Sequence, residues 1–97
     1  MDTNSERVRL TGCMMCRSAQ DVETVQRYLP EHIRLTKAEA GCVFFEVSQS
    51  DNPLVWNVDE CFVDRQAFEF HQQRTRASTW WSATVEIPRQ FEVSGPS

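Results

Sequence analysis

The stretch Glu39-Ala40-Gly41-Cys42-Val43-Phe44-Phe45-Glu46-Val47-Ser48, then Gln49-Ser50-Asp51-Asn52-Pro53, then Leu54-Val55-Trp56-Asn57-Val58-Asp59-Glu60-Cys61-Phe62 decides the fold. Gly41 reads as the stop of a preceding helix, because glycine tolerates the backbone that ends one. Cys42 to Ser48 is a strand rich in Val and Phe. Gln49 to Pro53 is built from turn residues. Leu54 to Phe62 alternates, with Leu54, Trp56, Val58, Glu60 and Phe62 on one face and Val55, Asn57, Asp59 and Cys61 on the other. Asp64 is placed to cap a helix running to about Arg74. The segment is therefore a β-hairpin followed by a helix.

The same periodicities extend outward. Val8, Leu10, Gly12 and Met14 alternate with Arg9, Thr11 and Cys13 as a first strand. Ser18-Ala19-Gln20-Asp21 starts a helix. Val22, Val25, Leu29, Ile33 and Thr36 continue it at three- and four-residue spacing, giving an amphipathic helix of about five turns. Pro30 predicts a kink or two abutting helices. Past the hairpin, Ser78 to Ala83 is a short helical piece carrying Trp80-Trp81, and Val85, Ile87, Phe91 and Val93 alternate as a last strand. The order βαββαβ, with right-handed crossovers, predicts an α+β ferredoxin-like domain with a four-stranded antiparallel sheet and helices on one face. The last strand is then an edge, which tolerates Pro88 within it. A free edge and a bare sheet face are both covered in a two-fold dimer.

Ninety-seven residues make one domain, expected to have an ordered core of about residues 8–93 and frayed ends. A domain of this size has a thin core, which a subunit interface supplements. The net charge is −4, and Arg74-Thr75-Arg76 is the densest cationic spot, so nucleic acid is an unsuitable partner. No apolar run reaches membrane-spanning length. Met1 to Arg7 is polar and lacks the apolar centre of a signal peptide. The expected compartment is the cytoplasm, with Cys13, Cys16, Cys42 and Cys61 as reduced thiols. Cys13-x-x-Cys16 has no second ligand pair and closes a strand instead of opening a helix, so these cysteines read as small hydrophobes.

No nucleotide, haem-attachment or zinc-protease motif is present, and two histidines are too few for a protein-made redox-metal site. His71 is one helical turn from Phe68 and one from Arg74 and Thr75. It reads either as a base for an acidic phenol or anthrone or as a half-buried histidine bonded to backbone. Glu60, on an apolar strand face, is either paired with Arg65, Arg74 or Arg89 or functional, because an isolated buried carboxylate is costly. Trp56 is an aromatic wall or ordinary core. Adjacent Trp80 and Trp81 diverge by about 100° on a helix. One of them packs inward and the other roofs a pocket or meets a partner. Arg74 is either solvated or placed to orient a phenolate oxygen. His32, beside the apolar stripe, reads as a boundary residue.

Glu39-Ala40-Gly41-Cys42, Glu60-x-Phe62-x-Asp64 and Ala67-Phe68-x-x-His71 resemble the antibiotic biosynthesis monooxygenase family, and the likeness runs from about Val8 to Val93. The family comprises small dimeric α+β barrel proteins, quinol monooxygenases among them. The resemblance implies a homodimer joined through the sheet face and last strand. It also implies oxygenation of a small aromatic quinol or phenol without metal, flavin or haem. In that scheme the substrate is deprotonated, its anion passes an electron to oxygen, and radical recombination and loss of water give a quinone. His71 would be the base, Glu60 or Arg74 the orienting group, and Trp56, Phe68 and Trp80 the pocket. The alternatives are a non-catalytic small-molecule-binding dimer and a haem-binding or haem-degrading relative with His71 as axial ligand.

Overall fold

The computed structural model describes residues 6–96. Seven elements follow one another: β1 (Val8–Met15), α1 (Ala19–Lys37), β2 (Cys42–Gln49), β3 (Val55–Phe62), α2 (Arg65–Arg76), α3 (Thr79–Thr84) and β4 (Arg89–Ser94). The strands form one antiparallel sheet in the order β2-β3-β1-β4, the ferredoxin-like arrangement, and it is open, not closed into a barrel. No helix among the described residues is long and apolar enough to cross a membrane. The expected fraying of the extreme ends falls largely on residues 1–5 and 97, outside the described residues.

The register explains the core. Leu10 lies opposite Glu60, Met14 opposite Trp56 and Val47 opposite Val58, so these side chains share one sheet face. Val25 and Leu29 of α1 and Phe68 of α2 complete the apolar cluster with Val8, Leu10, Met14, Val58 and Phe62. The other face carries exposed Arg9, Glu46, Ser48, Asn57 and Glu92 between half-buried Thr11, Cys13 and Met15. Val43 has no partner in the β2–β3 ladder. This bulge shifts the alternation by one residue and brings Phe45, 3% exposed, opposite Glu60 on the helix-covered face.

Four local expectations are corrected. First, α1 is one helix through Pro30, so two abutting helices do not form. Val25 and Leu29 before it and His32 and Thr36 after it are buried, so packing on both sides outweighs the one helix bond a proline removes. Second, α1 ends at Lys37 with Ala38 in right-handed conformation, so Gly41 is not its stop. Gly41 is small for another reason: a Cβ there would run into the Ala67 Cβ at the start of α2. Third, Ser18 makes no side-chain cap bond; Asp21 instead ties Arg17, just before the helix, by accepting from its backbone N–H at 2.9 Å and its Nε at 2.8 Å. Fourth, Pro88 precedes β4, where its carbonyl accepts from Met15 N–H at 2.8 Å, and Val85 and Ile87 lie in the α3–β4 connection. Asp64 does cap α2, accepting from Ala67 N–H at 2.8 Å.

Candidate active site between the sheet and the helices

A cavity of about 200 Å³ lies between the sheet and the helices. Its floor is Leu10 and Met14 of β1, Phe45 and Val47 of β2, and Val58 and Glu60 of β3. Its roof is His32 of α1, His71 and Thr75 of α2, and Trp80 and Trp81 of α3, with Arg76, Arg89 and Phe91 along the rim. Apart from Glu60 the floor is apolar, and the roof presents four rings. This combination suits a flat aromatic ligand.

His71 is 1% exposed and stacks on Phe62 at 4.7 Å between centroids. Its Nδ1 lies 3.0 Å from Glu39 Oε2, and that same oxygen accepts from Arg74 Nε at 2.5 Å. Arg74 also donates through Nη2 to Thr36 Oγ1 at 2.8 Å. Glu39 Oε2 accepts from Arg74 Nε and is the acceptor toward the ring, so Nδ1 carries the proton and donates to it, leaving a lone pair on Nε2. Nε2 faces Thr75 Oγ1 at 3.3 Å and Glu60 Oε1 at 3.5 Å. Burial, opposed by Glu39, holds His71 below the usual histidine pKa, and the ring is neutral at pH 7.

Glu60 is 6% exposed, and no arginine pairs with it among the described residues, so the expected ion pair with Arg65, Arg74 or Arg89 does not form. Burial, with smaller contributions from Glu39 and Asp59, pushes its pKa up to about 8. The 3.5 Å approach to His71 is therefore not a contact between opposite charges. It brings a neutral carboxylic acid within 3.5 Å of a neutral imidazole without a hydrogen bond, and Glu60 Oε1 has no hydrogen-bond partner among the described residues. Arg74, Glu39 and His71 are thus joined by hydrogen bonds, and the protonated Glu60 acid lies at the cavity floor 3.5 Å beyond His71 Nε2.

Of the residues singled out in the sequence, the structure brings His71, Glu60 and Trp80 together around the cavity. Trp56 and Phe68 are core residues at 7% and 6% exposure and are not among its lining. Arg74 faces Glu39 and Thr36 and does not line the cavity. Trp81 joins Trp80 at the cavity, with the Arg89 guanidinium 5.3 Å from its ring.

Sequence reasoning missed Glu39, His32, Phe45 and Thr75. Glu39 lies beyond the end of α1, where helical periodicity says nothing, and its partner is 32 positions away. Phe45 depends on the bulge at Val43. His32 did carry a signal, since Val25, Leu29, His32 and Thr36 form one stripe at three- and four-residue spacing, and all four are buried. His32 is neutral, because burial, reinforced by His71 and two arginines, lowers its pKa to about 3.

The fold has close counterparts of low sequence identity. A conserved protein from Methanosarcina mazei Go1 superposes with a TM-score of 0.78 at 16% identity, over 98% of this chain and 97% of that one. MupZ from Pseudomonas fluorescens gives 0.79 at 19% identity, over 95% and 70%. A provisionally assigned antibiotic biosynthesis monooxygenase from Nitrosomonas europaea gives 0.76 at 18% identity, over 92% and 89%. At these identities the likeness concerns the fold alone. No curated protein matches the sequence. Residues 16–81, which hold both strands of the hairpin, α1, α2 and the start of α3, match the profile of the antibiotic biosynthesis monooxygenase family, and the chain belongs to that family.

Proposed function

We propose that this protein is a cofactor-independent monooxygenase that converts a small aromatic quinol or phenol to a quinone with molecular oxygen. The observation that carries the reading is the hydrogen-bonded Glu39–His71 pair with Glu60 3.5 Å from Nε2, buried against a ring-lined cavity. A phenolic hydroxyl next to Glu60 gives its proton to the carboxyl as Glu60 passes its own to His71 Nε2. The imidazolium that forms lies against the Glu39 carboxylate, which offsets its positive charge. The phenolate then transfers one electron to oxygen, superoxide and the phenoxyl radical combine at a ring carbon, and the imidazolium returns its proton to the peroxide oxygen. Loss of water from the hydroperoxide leaves a carbonyl, so one oxygen atom enters the product and the other leaves as water. A cavity of about 200 Å³ exceeds the roughly 150 Å³ that accepts benzene, which favours a substrate of one or two rings.

The proposal includes a homodimer and a reducing, cytoplasmic setting. In support, β4 is an open edge with Phe91 and Val93 exposed, the second sheet face carries half-buried apolar residues, and all four cysteines are free. The second reading, a non-catalytic binder, is favoured by the enclosure of His71 at 1% exposure. The haem reading has less support, because the cavity is below the roughly 300 Å³ at which drug-sized pockets begin and both His71 nitrogens already face protein groups.

The test is oxygen uptake by chelator-treated protein with a reduced naphthoquinol, measured above the quinol's own oxidation, beside His71→Ala. Saturable uptake lost in the variant supports the oxygenase. Saturable binding of the quinol without uptake moves the protein to the binder reading.

A further inference from the structure

One end of the cavity is closed by two rings. The His32 imidazole and the Trp80 indole lie parallel, 8° apart, with centroids 5.1 Å from each other. On one side both rings line the cavity that holds Glu60 and His71. On the other side both line a second hollow of about 400 Å³ between α1 and the start of α3, bounded by Tyr28, Glu31, Leu35 and Ser78. They are the two residues that these spaces share. The stack is therefore the partition between them.

The partition is apolar in character. Neutral His32 leaves its Nδ1 without a hydrogen-bond partner among the described residues, so ring contacts fix it, with Phe45 edge-on at 5.4 Å. Trp80 is presented by a helix of six residues, pinned where Ser78 Oγ accepts from Trp81 N–H at 3.2 Å and where Thr84 Oγ1 donates to the Trp80 carbonyl at 2.7 Å. The indole is thus held at its backbone, and the imidazole is stacked against it. We propose that the His32–Trp80 stack sets the length of substrate the site accepts, admitting one or two fused rings and excluding three, and that removing it joins the cavity to the outer hollow. The inference rests on the aromatic-pocket reading above and adds its size limit.

Calorimetric binding of 2-naphthol and 2-hydroxyanthracene under argon tests it without turnover, since the two ligands share a hydroxyl and differ by one ring. The intact protein is expected to bind the two-ring ligand at least about tenfold more tightly. Trp80→Ala is expected to erase or invert that preference. Trp80 is buried, so circular dichroism accompanies the variant. His32→Ala, which keeps the indole and thins the partition, is expected to shift the preference in the same direction by less, and it decides the matter if Trp80→Ala does not fold. Equal affinities in the intact protein, or an unchanged preference in a folded variant, overturn the partition. Failure of the intact protein to bind either ligand overturns it together with the aromatic pocket. Binding with the expected preference but no oxygen uptake supports the partition and removes only the oxygenase.

Discussion

Glu39 Oε2 lies 3.0 Å from His71 Nδ1, joining the loop after α1 to the middle of α2, and the same oxygen is held by Arg74. A carboxylate so placed fixes the tautomer in which Nε2 can accept a proton and stabilises the imidazolium that results. Glu39→Gln keeps the shape but can turn its amide nitrogen to the ring, which removes both effects. It is expected to lower turnover by about one to two orders of magnitude, against about two to four for His71→Ala. Steady-state oxygen consumption checks both. Unchanged turnover in Glu39→Gln would show that the carboxylate does not position the base.

Two buried groups set opposite limbs of the pH–stability curve. Glu60, held at about 8 against an ordinary 4.5, keeps its proton in the fold where the unfolded chain releases it. Stability therefore falls as pH rises from about 4.5 to 8. His32, held at about 3 against 6.5, stays neutral in the fold while the unfolded chain takes up a proton, so stability falls as pH drops from about 6.5 to 3. His71, also lowered, deepens the acid limb. Between about 4.5 and 6.5 the two slopes oppose and a plateau is expected, with limbs no steeper than about 1.4 kcal/mol per pH unit for each group. Urea titrations across pH measure the curve. Glu60→Gln should flatten the alkaline limb and leave the acid limb in place; an unaltered alkaline limb would place the effect in another group.

Much of the fold was legible because it is periodic. The two-residue alternation of Val8 to Met14 and of Trp56 to Phe62, and the helical stripe from Val25 to Thr36, each report a buried face directly. Half of the site was legible for the same reason: Glu60 stands out on an apolar strand face, and His71 lies on a helix near Phe68. The other half depends on tertiary contacts that no period encodes. Glu39 gains its role from a residue on another helix, Phe45 from a bulge, and Arg74 faces a carboxylate where spacing alone suggested a ligand. Trp56 and Phe68 show the converse, since aromatic residues on the correct face became core when the helices settled over them.

The constraint on Gly41 comes from α2 and not from the end of α1. A Cβ at position 41 would collide with the Cβ of Ala67. The backbone there is not free to retreat, because the Gly41 carbonyl accepts from Val63 N–H at 2.9 Å. Gly41→Ala is expected to cost about 1–3 kcal/mol in chemical denaturation. Ala67→Gly removes the opposing carbon, so the double variant should be more stable than the two single losses predict. Strictly additive losses would mean that the two residues do not meet.

The dimer has its own test at the free edge of the sheet. Val93 is 45% exposed and Phe91 38% exposed on β4, whose outer side has no neighbouring strand among the described residues. An open edge bearing apolar side chains invites pairing with another chain, and a second copy packed along β4 would cover it. A stable association buries at least about 1,000 Å² in total, so a charge placed within it is poorly tolerated. Val93→Asp is chosen because Val93, unlike Phe91, does not line the cavity. Sedimentation equilibrium is expected to give twice the 11.3 kDa chain mass for the intact protein, and a mass closer to the single chain for Val93→Asp. A monomeric intact protein would remove the homodimer from the proposal. A dimer indifferent to Val93→Asp would move the interface away from β4 to the bare sheet face around Thr11 and Cys13.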